Sequence, residues 1–274
     1  MADWVLRQRI KTSVGSVAYD IFGEGSPVVL IHGTPSWSYL WRHVVPTLSE
    51  RSTVYVYDLL GYGETEKGDG QDVSIVAQSR LLIELLDRWQ LEAPAIAGHD
   101  IGGAITLRAH LLEKRPFSRL ALLDAVVMKP WITEVSRHAQ AYLEAYQTMP
   151  VHIYEQIVAT HLGTAVYKTM NPETLAAYLK PWKGKSGQVA YFRQVAQFNE
   201  QHTDPLEPLL KSIDLPVSII WGEHDAWLDP LVAARLREMI PHSEVRIIPE
   251  AGHFSMEDAP EAVAQELVEF FVEG

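Results

Sequence analysis

Short apolar runs alternate along the chain with segments in which apolar residues recur at helical spacing. The run Val28–Ile31 is continuous, which is typical of a strand buried on both faces of a sheet. The other sheet strands are predicted at residues 53–58, 93–97, 120–123, 217–221 and 245–249. This alternation predicts an α/β fold in which helices flank a mostly parallel central sheet, preceded by a hairpin over residues 4–22.

Helical periodicity is clearest over residues 76–89, 102–114 and 261–271. Residues 126–211 break the alternation, because they contain helical patterns and many aromatic residues but no strand pattern. An excursion of this length between two strands predicts a helical cap inserted over the sheet, although a packing layer without a functional role is the alternative. We therefore predict a core domain of residues 1–125 and 212–274 and a cap of residues 126–211. Within the cap, KPWKGKSG (residues 180–187) is predicted to be an exposed loop.

Composition narrows the classes of function. The 274-residue chain is 47% hydrophobic and has a formal net charge of −12, which disfavours nucleic acids and anionic membrane surfaces as partners. It contains no cysteine, which excludes disulfides, a thiol nucleophile and cysteine-based zinc sites. Because we find neither a secretory signal nor an apolar run of membrane-spanning length, we expect a soluble, cytoplasmic protein with no membrane partner.

The stretch AGHDIGGA, residues 97–104, lies between a predicted strand and a predicted helix. Its glycines Gly98, Gly102 and Gly103 tolerate the strained dihedrals and close packing of a sharp turn that presents one side chain for attack. That side chain is Asp100, which we predict to be a nucleophile. The alternative is a structural aspartate that caps the following helix.

Two further groups follow later strands and complete a candidate catalytic triad. His253, in AGHF after the last predicted strand, lies where it can reach Asp100 across the carboxyl ends of the parallel strands. Asp225, in WGEHDAW after the preceding strand, is predicted to accept a hydrogen bond from the His253 ring and hold its tautomer. His253 can also be a buried structural histidine. The acids that compete with Asp225 are Glu223, Asp229 and Asp124.

An oxyanion hole is predicted from two turns at the same end of the sheet. The HGTP turn follows the buried strand Val28–Ile31, so its backbone N–H groups point towards the mouth of a pocket. We expect the N–H groups of Thr34 and Ile101 to form the hole, since Ile101 directly follows the candidate nucleophile.

The motifs HGTP, DLLGYG, GHDIGG, GEHD and AGH occur in this order along the chain. Together they resemble the α/β-hydrolase superfamily along nearly the whole length, with nucleophile, acid and histidine in the family's order. The aspartate inside G-H-D-x-G-G is similar to the haloalkane dehalogenase and epoxide hydrolase branch. The resemblance implies an enzyme that needs no cofactor or metal and acts on a small-molecule substrate with water. An exposed cap is also a common place for homodimer contacts.

An aspartate nucleophile suits a different substrate from a serine nucleophile. A carboxylate with an ordinary pKa of about 3.9 is ionised at neutral pH and needs no base before it attacks. Its attack on an ester gives a high-energy anhydride, whereas attack on a saturated carbon that carries a halide or a strained epoxide oxygen gives a stable ester. The histidine is then free to act as base on the water that cleaves this ester. We therefore expect an sp³ carbon as the electrophile.

The resemblance implies different leaving-group donors in the two branches. Haloalkane dehalogenases hold the halide between N–H donors, one from a tryptophan after the nucleophile and one from an asparagine after the HG turn or from a cap tryptophan. Here the first two positions are Ile101 and Thr34, so only Trp131 or Trp182 in the cap can supply such a donor. The arginines with which haloacetate dehalogenases hold a carboxylate are missing directly after the nucleophile, although Arg108 remains, which disfavours small anionic haloacids.

Epoxide hydrolases instead protonate the ring oxygen with cap donors, usually two tyrosines. Tyr154 and Tyr191 lie in the early and late cap as such a pair does, and His152 can replace the early donor. The family's late tyrosine commonly precedes an arginine, a place held here by Phe192, and these rings can also simply pack the cap. We therefore predict an epoxide hydrolase, with a haloalkane dehalogenase and a non-catalytic small-molecule-binding homologue as alternatives.

Overall fold

An eight-stranded sheet forms the centre of the protein in a computed structural model that describes residues 4–273. The strands are β1 (Gln8–Thr12), β2 (Gly15–Phe22), β3 (Ser26–Ile31), β4 (Ser52–Tyr57), β5 (Ala95–His99), β6 (Leu120–Leu123), β7 (Val217–Gly222) and β8 (Ser243–Ile248). Their spatial order is β1-β2-β4-β3-β5-β6-β7-β8. The pairs from β4 to β8 are parallel, and only β1–β2 and β2–β4 are antiparallel. The predicted mostly parallel sheet and its opening hairpin, which turns between Thr12 and Gly15, are confirmed.

The central strands are buried because helices cover both faces of the sheet. Every residue of β5, β6 and β7 is buried, as the continuous apolar runs in the sequence predict. Parallel strands place their carboxyl ends at one edge of a sheet, so the loops after β3, β5, β6, β7 and β8 meet there. This edge is where the candidate catalytic groups lie.

The helices account for the segments of helical periodicity. The α-helices are α1 (Val45–Leu48), α2 (Ile75–Arg88), α3 (Ile101–Leu111), α4 (Glu134–Ala141), α5 (Leu143–Thr148), α6 (Val151–Gly163), α7 (Pro172–Leu179), α8 (Gly184–Gln197), α9 (Leu231–Met239), α10 (Ser255–Asp258) and α11 (Pro260–Val268). Short 3-10 turns lie at Ser38–Trp41, Lys180–Trp182, Glu200–His202 and Glu207–Ser212, and a π-helical turn at Glu269–Glu273. Within residues 4–273, no helix has both the length and the apolar character needed to cross a bilayer.

The segment between β6 and β7 contains helices α4 to α8 and 3-10 turns, and no strand occurs in it among the described residues. The division of the chain into a core and a cap at residues 126 and 211 stays a prediction. One detail of the cap prediction is wrong: residues 180–187 do not form an exposed loop. Trp182 lies in a 3-10 turn, and helix α8 begins at Gly184. The Trp182 side chain is buried because its indole N–H donates to the backbone carbonyl of Pro35.

The helical segment is held onto the sheet by hydrogen bonds from two tryptophan side chains. Trp182 Nε1 donates to the backbone carbonyl of Pro35, 2.7 Å away, and Trp37 Nε1 donates to that of Ala177, 3.2 Å away. Each bond joins the loop after β3 to the helical segment. The loop that carries Thr34 therefore lies directly beneath the α7–α8 region.

Candidate active site

Asp100 occupies a sharp turn between β5 and α3. Its backbone has φ 53° and ψ −122°, a conformation that non-glycine residues rarely adopt. Hydrogen bonds hold the turn, with Asp100 N donating to Leu123 O at 3.1 Å and Gly103 N donating to Asp100 O at 3.0 Å. The side chain makes no capping bond to α3, so the alternative interpretation of Asp100 as a helix cap is wrong. The turn instead lets the carboxylate project from the edge of the sheet into a cavity.

The His253 ring lies between two carboxylates. Its Nε2 is 3.5 Å from Asp100 Oδ2, and its Nδ1 is 2.9 Å from Asp225 Oδ2. The other Asp225 oxygen accepts hydrogen bonds from the backbone N–H groups of Trp227 (2.8 Å) and Leu228 (3.0 Å), which fix the carboxylate. The loops after β5, β7 and β8 thus bring the three predicted residues together in the order nucleophile, histidine, acid.

Electrostatics favour the charged form of His253. Burial of the ring lowers its pKa, but the Asp225 and Asp100 carboxylates outweigh burial and raise the pKa of His253 well above its ordinary value. The two carboxylates therefore favour the imidazolium, and neutralising either of them would weaken that preference.

Asp124 was an alternative to Asp225 as the acid of the triad, but both of its carboxylate oxygens accept hydrogen bonds from groups other than His253. It follows β6, and its oxygens accept from Gly222 N and from Ser255 Oγ, each at 2.7 Å. Burial and the nearby Asp225 carboxylate raise the pKa of Asp124 well above its usual range. Asp124 thus joins the end of β7 to the start of α10, whereas the contact with the His253 ring nitrogen is made by Asp225.

The predicted oxyanion donors lie beside the Asp100 carboxylate. Thr34 N donates to Asp100 Oδ1 at 2.7 Å, so this N–H group faces the carboxyl group on which an oxyanion would develop. Ile101 is the first residue of α3 and lines the same cavity. The participation of the Ile101 N–H group stays a prediction.

A cavity of about 540 Å³, including its mouth, separates Asp100 from the helical segment. Thr34 and Ile101 line it on the sheet side, and aromatic residues of the helical segment line it on the other side. Its walls contain no lysine or arginine among the lining residues within 4–273. The cavity therefore suits a small, uncharged molecule.

The tryptophan N–H groups that were candidates for a halide site are already bonded to protein. Trp131 and Trp182 both line the cavity. However, Trp131 Nε1 donates to Thr203 Oγ1 at 3.0 Å, and Trp182 Nε1 donates to Pro35 O. Neither indole N–H group is therefore available to a halide in this structure, so the predicted halide donors find no support in it, although both rings form part of the cavity wall.

Of the three cap donors predicted for an epoxide, only Tyr191 lines the cavity. Tyr154 is fully buried, and its hydroxyl donates to Trp182 O at 2.9 Å, so it packs the helical segment. His152 is exposed to solvent on α6 and does not line the cavity. The predicted substrate-binding roles of Tyr154 and His152 therefore find no support in the lining of the cavity.

A sequence profile described as the alpha/beta hydrolase fold matches residues 26–260 of the chain. The chain belongs to the α/β-hydrolase fold family. A crystal structure of an α/β-hydrolase fold protein from Burkholderia ambifaria is 35% identical, with a TM-score of 0.94 and coverage of 97% of this chain and 98% of that one. Haloalkane dehalogenase 2 of Mycobacterium bovis is 27% identical over 278 residues, 95% of this chain and 93% of the relative. A cis-3-alkyl-4-alkyloxetan-2-one decarboxylase of Xanthomonas campestris is 27% identical, with 88% and 86% covered.

The polar residues of the α/β hydrolase's cavity that the sequence analysis missed include His161 and Gln194. The His161 ring stacks on the Trp227 indole, with centroids 4.3 Å apart and planes inclined by 5°. Burial and the neighbouring His253 lower the pKa of His161 to about 4, so it is neutral at physiological pH. Gln194 lines the cavity from α8, three residues after Tyr191. Residues three apart on a helix lie on the same face, so the choice of Tyr191 as a cavity residue would have predicted Gln194 as well.

Proposed function

We propose that this α/β hydrolase opens a small uncharged epoxide through a covalent ester on Asp100, which water then cleaves. The observation that carries the proposal is the position of the Asp100 carboxylate. It projects from a strained turn into the cavity, with His253 Nε2 3.5 Å from one oxygen and Thr34 N 2.7 Å from the other. A carboxylate in this place attacks an sp³ carbon productively, because the product is an ester.

In the first step, a carboxylate oxygen of Asp100 attacks a ring carbon and the carbon–oxygen bond of the epoxide breaks. The developing alkoxide takes a proton from the Tyr191 hydroxyl, which lines the same cavity. Burial raises the pKa of Tyr191, but an alkoxide is still more basic than a phenolate. The products of this step are a hydroxyalkyl ester on Asp100 and a tyrosinate.

In the second step, loss of the Asp100 charge changes His253. The pKa of the imidazolium falls because one of the two carboxylates that raise it is now a neutral ester. The imidazolium passes its proton to the tyrosinate, and the neutral ring then takes a proton from water as that water attacks the ester carbonyl. The Thr34 N–H group donates a hydrogen bond to the oxyanion, and collapse releases a diol, the Asp100 carboxylate and the imidazolium.

The alternatives are less well supported by the groups around the cavity. A halide site from Trp131 or Trp182 requires an indole N–H that is already bonded to protein. One relative is named as a decarboxylase of an oxetan-2-one, a compound with a strained ring that contains oxygen. That name is compatible with an oxygen leaving group. A binding-only protein has no chemical use for three aligned groups such as Asp100, His253 and Asp225.

Trapping the ester tests the proposal. His253→Gln removes the base of the second step, so incubation with a small terminal epoxide is expected to raise the intact mass by the mass of the epoxide. The exposed His152→Gln is the matched control and is expected to turn over without an adduct. In wild-type protein, turnover in heavy-oxygen water is expected to label Asp100.

The same measurements separate the alternatives. Halide release from bromoalkanes without diol formation from epoxides would assign the dehalogenase activity instead. Confirmed turnover with an unlabelled Asp100, or the absence of an adduct with every active substrate, would contradict the covalent route.

A further inference from the structure

The Trp227 indole contacts two imidazole rings, one of which belongs to the proposed base. The Trp227 and His253 rings have centroids 4.8 Å apart and planes inclined by 31°. Rings that are this close and this nearly parallel overlap in an offset stack, because two rings lying edge to edge cannot approach so closely. The His161 ring also stacks on this indole. The indole lines the cavity as well, but the reaction proposed above gives it no role.

Hydrogen bonds fix the position of Trp227. Its backbone N–H group donates to Asp225 Oδ1 at 2.8 Å, and its indole N–H group donates to Thr164 Oγ1 at 2.9 Å. The Thr164 hydroxyl in turn donates to the backbone carbonyl of His161 at 2.7 Å. Because Thr164 directly follows helix α6, Trp227 is fixed between the acid of the proposed triad and the end of this helix.

The face of an indole favours a charged ring over a neutral one. It carries the negative part of the ring quadrupole and therefore attracts a cation that stacks on it. This attraction is largest where water is excluded, and the His253 ring is 0% exposed. Contact with Trp227 therefore favours the imidazolium of His253, in the same direction as the carboxylates do.

The ionisable groups around His253 come from several elements of the fold. They are His99 and Asp100 from the end of β5 and its turn, Asp124 after β6, Asp225 after β7 and His161 from α6. Burial lowers the pKa of His99 to about 3 and that of His161 to about 4, so both rings are neutral at physiological pH. When Asp100 becomes an ester, its charge is lost, and Trp227 then accounts for a larger share of the remaining stabilisation of the imidazolium.

We infer that Trp227 is a positioning residue of the proposed reaction, whose indole face holds the His253 ring beside Asp100 and stabilises its charged form. The inference rests on the proposed function for the reaction, although the contact between the two rings exists without substrate. In the second step, the neutral ring takes a proton from water, and the indole face stabilises the imidazolium that forms. Trp227 therefore strengthens the base at the stage at which the Asp100 charge is absent.

Fluorinated tryptophans incorporated at position 227 alone test the inference. One, two or three ring fluorines withdraw electron density from the face but preserve the N–H group and nearly preserve the shape. Nitrogen NMR of labelled histidine, with His253→Gln to assign the signal, measures the pKa of the His253 ring. We expect this pKa to fall in steps, by about half a pH unit to one pH unit in total. The same series at Trp131, which lines the cavity but packs on Phe198, should leave it unchanged.

Two ordinary variants separate the aromatic face from packing. Trp227→Leu removes the face and is expected to lower the pKa of His253 at least as far as three fluorines do, whereas Trp227→Phe keeps a face and should lower it less. With an epoxide that is turned over, the acid limb of ester hydrolysis should move to lower pH in the same order, because a weaker base is neutral at lower pH.

The NMR titration does not depend on turnover. If no epoxide is turned over, the proposed function fails, and the titration still decides the role of Trp227. A pKa of His253 that stays constant along the fluorine series, that is unchanged in Trp227→Leu, or that shifts equally with fluorines at Trp131 would overturn the inference.

Discussion

Two buried aspartates at the ends of neighbouring strands differ in what their oxygens contact. Asp225 Oδ2 meets His253 Nδ1, whereas both oxygens of Asp124 accept from Gly222 N and Ser255 Oγ. Both side chains are buried carboxyl groups. Their contacts therefore make Asp225 the positioning residue of the proposed reaction and give Asp124 a structural role.

Asp225→Asn is expected to stop cleavage of the ester. Trp227 N and Leu228 N both donate to Oδ1, so the asparagine oxygen takes that place and its NH₂ group faces His253. The ring then accepts at Nδ1 and carries its proton on Nε2, which is the wrong tautomer for a base. We expect a loss of about 10⁴-fold in the hydrolysis rate, with ester accumulating in single-turnover mass spectrometry.

Asp124→Asn is the matched control. Ser255 Oγ can rotate and accept from the new NH₂ group, so we expect a loss of about 1–2 kcal/mol in the free energy of unfolding and a hydrolysis rate within about tenfold of wild type. Equal losses of hydrolysis in the two variants would contradict the assignment of Asp225.

At the scale of elements, the turn between β5 and α3 depends on close backbone contact. A Cβ atom on Gly98 would lie 2.4 Å from Gly102 O and 2.7 Å from Gly103 N. Backbone atoms cannot move away as a flexible side chain can. The first turn of α3 therefore packs directly on β5, and Asp100 is held at the tip of the turn.

Gly98→Ala is expected to destabilise the protein strongly, by about 3 kcal/mol or more, because α3 has to shift away from β5. Gly163→Ala is the control: no atom lies within 4 Å of its Cβ position at the end of α6. There alanine is expected to be neutral or to stabilise by up to about 1 kcal/mol. Urea unfolding measures both, and similar changes in the two variants would contradict the close packing of the turn.

At the scale of the whole molecule, a buried ion pair joins the helical segment to the sheet region. Arg42 and Glu257 form two hydrogen bonds, of 2.7 and 2.8 Å, and their side chains are only 7% and 12% exposed. Tyr178 of α7 donates to Glu257 at 2.9 Å. Helix α7 thus contacts the sheet region through a hydrogen bond to Glu257, one member of this ion pair.

Glu257→Gln is expected to lower the free energy of unfolding by about 3–5 kcal/mol, because it leaves the buried Arg42 charge unpaired. The double variant Arg42→Met with Glu257→Gln should recover part of this loss. Glu273→Gln, in a half-exposed pair with Arg51, should change stability by no more than about 1 kcal/mol. Denaturant titrations provide the double-mutant cycle, and additive losses would contradict the coupling of Arg42 and Glu257.

The fold and the reactive groups were determined by the sequence, because their signals are local. Continuous apolar runs predict buried parallel strands, and the glycines around Asp100 predict a sharp turn whatever the rest of the chain does. The sheet, the hairpin and the family are confirmed. Catalytic roles for Asp100, His253 and Asp225, a homodimer and a cytoplasmic location stay predictions.

Which cap side chains face the cavity was decided only by the tertiary structure. Any hydroxyl or indole N–H in a sequence is a candidate donor. It is available to a substrate only if it does not already donate to a group of the protein, such as a backbone carbonyl. The Trp182 indole N–H and the Tyr154 hydroxyl donate to the backbone carbonyls of Pro35 and Trp182, which lie far from them in sequence. Within residues 4–273, helix packing brings no hydrogen-bond partner to the Gln194 amide. Such pairings depend on how the helices pack, which no local pattern contains.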